Sequence, residues 1–318
     1  MKFAFFLPIE PNEMWKLAAQ LGVSEAVTGI PRAQPGGPPS WDYLPLLHMQ
    51  QRFADAGLNV AVIESTPPMD LIKRGLPGRD EEIAHVCELL TNMGALGIRV
   101  WCYNFMAVFG WLRTSTTTVG RGGALVSSYD HALMESAPLT EAGVISEEQL
   151  WDNFAYFLEH VVPVAKQAGV KLALHPDDPP LSPIRGIGRI FTSVEAFERA
   201  LALVPSPYNG LTFCQGNFTA MGAHIPTAIR TLKDSIHFAH FRDVQGTASR
   251  FVETFHDNGP TNMLETMRCY QEIGFNGVMR PDHVPTLEGD ANETPGYTTR
   301  GRIYALGYMR GLAEAASH

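Results

Sequence analysis

Five times along the chain a helix-like run ends in glycine and passes straight into a short apolar, β-branched segment: LAAQLGVSEAV, FADAGLNVAVIES, MGALGIRVWCYNF, AKQAGVKLALHPDD and YQEIGFNGVMRPDH. Glycine suits the left-handed position just past a helix end. An apolar run without alternation suits a strand buried on both faces, so each unit reads as helix then strand. FAFFLP near the start, GLTFCQGN around 214 and IHFAHFRDV around 240 complete a set of eight strand candidates, at about 2–8, 23–29, 59–65, 98–104, 170–176, 209–214, 236–242 and 277–282. Helical stretches at about 41–56, 80–96, 146–168, 193–203 and 262–273 lie between most of them. Eight strands alternating with helices predict a closed parallel (β/α)8 barrel. The competitor is an open doubly wound sheet, but no GxGxxG or GxxxxGK[ST] phosphate loop stands at a strand-to-helix turn. Residues 1–318 therefore read as one barrel domain.

One segment breaks the rhythm. From Gly110 to Gly143 the chain reads GWLRTSTTTVGRGGALVSSYDHALMESAPLTEAG, rich in Gly, Ser and Thr and without clear period. An irregular insertion of this length in a compact domain is usually functional or mobile. It follows the fourth strand, on the face where barrel enzymes place their chemistry, so residues 110–143 are expected to form a lid or an oligomer contact. A disordered surface loop is the alternative.

Composition narrows the function classes. With 45% hydrophobic and 18% charged residues the chain can bury a sizeable core and is neither disordered nor fibrous. A net charge of -9, from 24 Lys plus Arg against 33 Asp plus Glu, argues against a nucleic-acid footprint, which needs clustered cations. The cysteines Cys87, Cys102, Cys214 and Cys269 form no CxxC pair and fit free thiols in the cytoplasm. The apolar N-terminal MKFAFFLP is too short to span a membrane and reads as the first strand.

The chemistry is concentrated at the carboxyl ends of the strands. Glu64 closes AVIES, Asn104 closes VWCYN, His175 closes LALH, Cys214 closes LTFC, His240 lies in HFAHFRD and Asp282 closes VMRPD. In a barrel these positions converge on one mouth. Imidazole, thiolate and carboxylate bind divalent transition ions, so His175, Cys214, His240 and Asp282 make a mixed ligand set suited to Mn, Fe, Co, Ni or Zn. Singly, each has a plainer role: a strand-end histidine is commonly a hydrogen-bonded core residue, and a cysteine in an apolar strand a small hydrophobe. Four compatible ligands on adjacent strand ends outweigh that. Period-two alternation puts Phe238, His240 and Arg242 on one face and His237 on the other, which selects His240. Asp177 and Asp178 in HPDDPP are expected either to orient ligating imidazoles or to cap turns. His256 is placed near the mouth.

VWCYNFM, then WLRT, LALHPDDPP, FCQGN, IHFAHFRDV, MRPDH and PGYTTRGRIYALGYMRGL occur in the order found in mannonate dehydratases, which the chain resembles from about residue 60 to its end. The resemblance implies a xylose-isomerase-like TIM barrel. It implies a divalent ion, commonly manganese, with Fe, Co or Ni as alternatives, and conversion of D-mannonate to 2-keto-3-deoxy-D-gluconate with loss of water. The family's metal ligands fall on His175, Cys214, His240 and Asp282, and its acid–base pair on His283 and Tyr297. The division of roles within that pair is open at this stage. Arg242 and Asn104 are candidates to hold the substrate carboxylate and hydroxyls, although Arg242 could instead pair with Asp178 or Asp243.

The chain departs from the family pattern in two places. The stretch after WLRT is shorter, and QGTASRFVETFHDNG after His240 reads in its own way. Both loops would frame the pocket, so a sugar isomerase or epimerase on the same barrel, or a silent sugar-acid binder, remain the alternatives to a lyase. The apolar C-terminal run YALGYMRGLAEAA closes the barrel or covers a partner in a homo-oligomer.

Overall fold

The computed structural model describes residues 1–317. Its strands are β1 (Lys2–Phe6), β2 (Glu25–Thr28), β3 (Asn59–Glu64), β4 (Val100–Tyr103), β5 (Ser115–Val119), β6 (Leu125–Asp130), β7 (Lys171–Leu174), β8 (Asn209–Cys214), β9 (Ile236–Phe241), β10 (Val244–Thr247), β11 (Arg250–Glu253) and β12 (Val278–Pro281). Eight of them close a barrel in the order β1-β12-β9-β8-β7-β4-β3-β2, every neighbouring pair parallel. These are the eight segments expected from the apolar runs, and the closed parallel (β/α)8 barrel they predict is the fold observed.

Alternation divides each strand between two cores. Ala4, Val27, Val62, Val100, Cys102, Ala173, Phe238 and Val278 point inward and fill the barrel. Ile63, Trp101, Leu172, Phe213, Phe241 and Met279 point outward into the layer under the helices. The interior side chains are small or flat, as a narrow eight-stranded barrel requires. Helices Tyr43–Asp55, Arg79–Ala95, Glu147–Ala168, Val194–Leu203 and Met263–Glu272 follow the expected stretches. The longest, Glu147–Ala168, shows how its sequence sets its ends. Ser146 accepts a hydrogen bond from Gln149 N at its start, and Gly169 takes the left-handed conformation (φ +68°) that stops it.

The segment 110–143, expected to be irregular, contains the β5–β6 hairpin. β6 pairs antiparallel with β11, and β11 with β10, so two loops far apart in sequence build one four-stranded sheet over the barrel mouth. The strands escape sequence reading because STTTV and LVSSYD are mostly small and polar. Burial does not alternate cleanly either: β5 has no buried residue, and β6 buries Val126, Ser127 and Tyr129. Among the described residues, no helix is long and apolar enough to cross a membrane.

Candidate active site

Each inward row, continued upward by two residues, leaves the apolar interior and reaches the mouth: Val62 leads to Glu64, Cys102 to Asn104, Ala173 to His175, Thr212 to Cys214, Phe238 to His240 and Arg280 to Asp282. They surround a cavity of about 580 Å³ whose wall includes Glu64, Asn104, His175, His240, Asp282, His283 and Tyr297. Cys214 lies at the same level, fully buried.

His175, Cys214 and His240 each offer a ligand atom, and these atoms lie within 4.8 Å of one another. Asp282 adds an oxygen 3.6 Å from His240 Nδ1 and 3.8 Å from Cys214 Sγ. His240 is 1% exposed, yet neither ring nitrogen has a hydrogen-bond partner among the described residues, although Glu64 Oε1 is 3.3 Å from Nε2. A buried imidazole with both nitrogens unsatisfied is costly unless something else completes it. His175 Nδ1 donates to the Pro176 carbonyl (2.8 Å), which leaves Nε2 as its free lone pair, the usual arrangement of a ligating histidine. The donor set therefore fits a divalent transition ion.

Glu64, Cys102 and His240 form a second compact group. There Glu64 is committed to a cation already present, Arg280, through Nε (2.9 Å) and Nη2 (2.6 Å). Burial alone would raise the Glu64 carboxyl, but the charge of Arg280 above all holds it down to about 2. Arg280 also grips Asp282 Oδ1 through Nη1 at 2.7 Å, and Tyr297 Oη donates to the same oxygen at 3.1 Å, while Oδ2 is turned toward Cys214 and His240 with Arg242 Nε 3.0 Å away.

His283 follows Asp282 with a left-handed backbone (φ +38°). Its Nδ1 lies 3.0 Å from Glu253 Oε1, and its ring stands edge-on to Tyr297 at 5.7 Å between centroids. Glu253 only accepts, since Arg242, the strongest of the charges opposing burial, keeps its carboxyl down at about 2. In the neutral ring Nδ1 therefore carries the proton and Nε2 the lone pair. Burial and the nearby Asp282 charge push the Tyr297 phenol upward, so it keeps its proton. An imidazole with a free lone pair and a protonated phenol thus flank the ligand cluster. Together they can remove a proton from a bound molecule and deliver another to it.

The structure corrects two expectations. Arg242 does not reach the cavity wall and is 1% exposed. Its guanidinium is turned to Asp178 (3.0 Å), Glu253, Asn217, Cys214 Sγ (3.3 Å) and Asp282 Oδ2 (3.0 Å), and not to the space where a substrate carboxylate would lie. Helix Gln215–Ala220 covers it, and Gly216 makes the room, since a Cβ there would stand 2.9 Å from the guanidinium carbon. Nor do Asp177 and Asp178 orient imidazoles. Asp178 takes a two-pronged bond from Arg113 (2.5 and 3.0 Å), and Asp177 accepts from Phe191 N (2.7 Å).

Asn104 does line the cavity. Its Oδ1 accepts from Lys73 Nζ (3.2 Å), leaving its amide nitrogen for a ligand. His237 faces away and bonds the Leu172 carbonyl at 2.6 Å, while His256 is buried against Phe241 rather than placed at the mouth. Sequence reading missed Arg280, Glu253 and Arg113. Arg280 alone left a signal, an arginine inside an otherwise apolar strand two residues before Asp282.

The family model described as D-mannonate dehydratase (UxuA) matches residues 10–143 and 138–318. The chain is 36% identical over 312 residues to the mannonate dehydratase of Thermotoga petrophila, with 86% of each chain covered. It superposes on the crystal structure of mannonate dehydratase from Streptococcus suis serotype 2 with a TM-score of 0.91 at 34% identity, covering 99% of this chain and 93% of that one. The xylose isomerase domain protein of Planctomyces limnophilus gives a TM-score of 0.61 at 14% identity, covering 99% and 97%, which is a likeness of fold alone.

Proposed function

Because this chain belongs to the D-mannonate dehydratase family and is accordingly a hydro-lyase, we propose that it converts D-mannonate to 2-keto-3-deoxy-D-gluconate in the cavity at the barrel mouth. One observation carries the reading: four potential metal ligands and two differently protonated acid–base groups converge on one cavity. His175, Cys214, His240 and Asp282 would hold a divalent ion, taken here as manganese, with iron(II), cobalt or nickel compatible with the same donors. When bound, the ion supplies Lewis acidity against the negative charge that develops beside the substrate carboxylate.

The rest falls to the protein. His283 Nε2 takes the proton from the carbon next to the carboxylate, its ring fixed by the bond from Nδ1 to Glu253. The C–H electron pair forms the carbon–carbon double bond as the hydroxyl on the next carbon departs. Tyr297 Oη gives that hydroxyl its proton, so water leaves and the enol relaxes to the 2-keto acid. Asn104, with its free amide nitrogen, holds a substrate hydroxyl on the opposite wall.

The test is turnover of D-mannonate by metal-stripped protein resupplied with Mn, Co, Ni, Mg or Zn, followed by mass. Metal-restored product lighter by one water is expected. A product of unchanged mass would replace dehydration by isomerisation, and no product with stoichiometric metal bound would remove D-mannonate as substrate.

A further inference from the structure

The sheet over the mouth is not made of barrel strands, yet it sends one side chain into the catalytic cluster. In β11, Arg250 and Val252 face outward while Phe251 and Glu253 are buried, as a two-residue period dictates. Phe251 sits opposite Tyr129 of β6, their rings 6.0 Å apart, and this cross-strand pair joins the two hairpins. Arg113, at the root of the 110–143 insertion, lies 4.8 Å from both the Trp111 and Phe251 rings and donates to Glu253 Oε1 at 2.7 Å. Glu253 Oε1 thus receives Arg113, Arg242 and His283 Nδ1, while Oε2 has no partner among the described residues. The carboxylate is turned so that the single oxygen that meets His283 is also the one the two arginines hold.

We propose that Glu253 is the positioning residue for His283, and that the sheet assembled from the two insertions exists in part to deliver it. The proposal rests on the reading of His283 as the proton-transfer imidazole. A carboxylate at Nδ1 fixes the tautomer and the ring plane, leaving Nε2 as the lone pair that faces the cavity. His283 has little else to hold it: a left-handed backbone, an edge contact with Tyr297, a tilted one with Trp111, and Asp282 Oδ1 at 3.8 Å from Nε2, beyond hydrogen-bond reach. None of these selects a tautomer.

Glu253 also neutralises two buried arginines, so a plain truncation would confuse positioning with charge balance. Two substitutions separate them. E253D keeps the charge but draws the oxygen back from Nδ1 by one methylene. E253Q loses the charge but keeps an acceptor at Oε1, its amide nitrogen occupying the unpartnered Oε2 position. If Glu253 positions His283, E253D is the worse enzyme, with kcat down by about 10–100-fold and KM little changed. E253Q then stands between it and the wild type. Nitrogen-15 spectra of histidine-labelled protein should show the Nδ1–H tautomer of His283 in the wild type and E253Q, and a mixture in E253D. The reverse activity order, or a tautomer unchanged in E253D, would overturn the proposal and make Glu253 a charge-balancing residue. A wild type inactive on D-mannonate would remove the reading of the reaction, and the spectra would still decide the role of Glu253.

Discussion

Replacing His283 by asparagine or Tyr297 by phenylalanine should lower kcat on D-mannonate by about 10²–10⁴-fold, the usual worth of a positioned acid or base. Bound metal should stay near the wild-type level, because neither side chain belongs to the ligand set. Metal analysis beside steady-state kinetics checks this, and unchanged turnover in either variant would remove that residue from the chemistry. The two groups differ in environment rather than in kind of contact: a carboxylate partner frees one imidazole nitrogen, while burial beside Asp282 keeps the phenol protonated. Single-residue chemistry was legible where period and residue type agreed. That His175, Cys214, His240 and Asp282 come together at the mouth could be read because each stands where an apolar strand ends. Arg242 stayed open between a substrate carboxylate and a nearby acid, because alternation predicts which way a side chain points but not which acids meet it there. In the structure Asp178, 64 residues away, claims its guanidinium.

Among the elements, β8 and β9 show how tightly the ligand-bearing strands are set. Gly210 of β8 lies under His237 of β9, and a Cβ at Gly210 would stand 2.4 Å from the imidazole and 2.5 Å from the Ser235 carbonyl. G210A should therefore destabilise the protein by about 1–3 kcal/mol, the cost of overpacking a fixed site. Urea midpoints read this, and an unchanged midpoint would show that β8 and β9 can part without loss. The barrel strands and main helices could be read from sequence because apolar period and glycine stops act locally. The β5–β6 and β10–β11 hairpins could not, because each becomes a stable strand pair only against the other. Phe251 and Tyr129, the pair that joins them, come from loops more than a hundred residues apart.

For the molecule as a whole, two histidines outside the mouth tie stability to pH. Burial disfavours the imidazolium of both His237 and His256 and lowers each to about 4 from the ordinary 6.5, against the weaker opposing pull of the Leu172 carbonyl on His237 and the Phe241 backbone on His256. Between those values the unfolded chain binds more protons than the folded one. The stabilisation is therefore fully present above about pH 6.5 and is lost as pH falls toward 4, by up to about 3 kcal/mol for each histidine. Urea unfolding at pH 7.5 and 4.5 should show that loss, with a shallower dependence in H237Q. Equal stability at the two values would mean that both rings accept protons without disturbing the fold.

By itself the sequence determined the alternation of helix and strand, the apolar interior rows and the kinds of polar side chain at their ends, because these follow from local period and side-chain chemistry. Only the tertiary structure decided that Glu64 meets Arg280 across 216 residues of chain, that Arg242 is spent on buried acids, and that Glu253 reaches His283. Those partnerships depend on barrel closure and on two hairpins joining into one sheet. A charged group in a low-dielectric interior takes whichever partner the closed chain brings within reach, and no local pattern specifies which one that is.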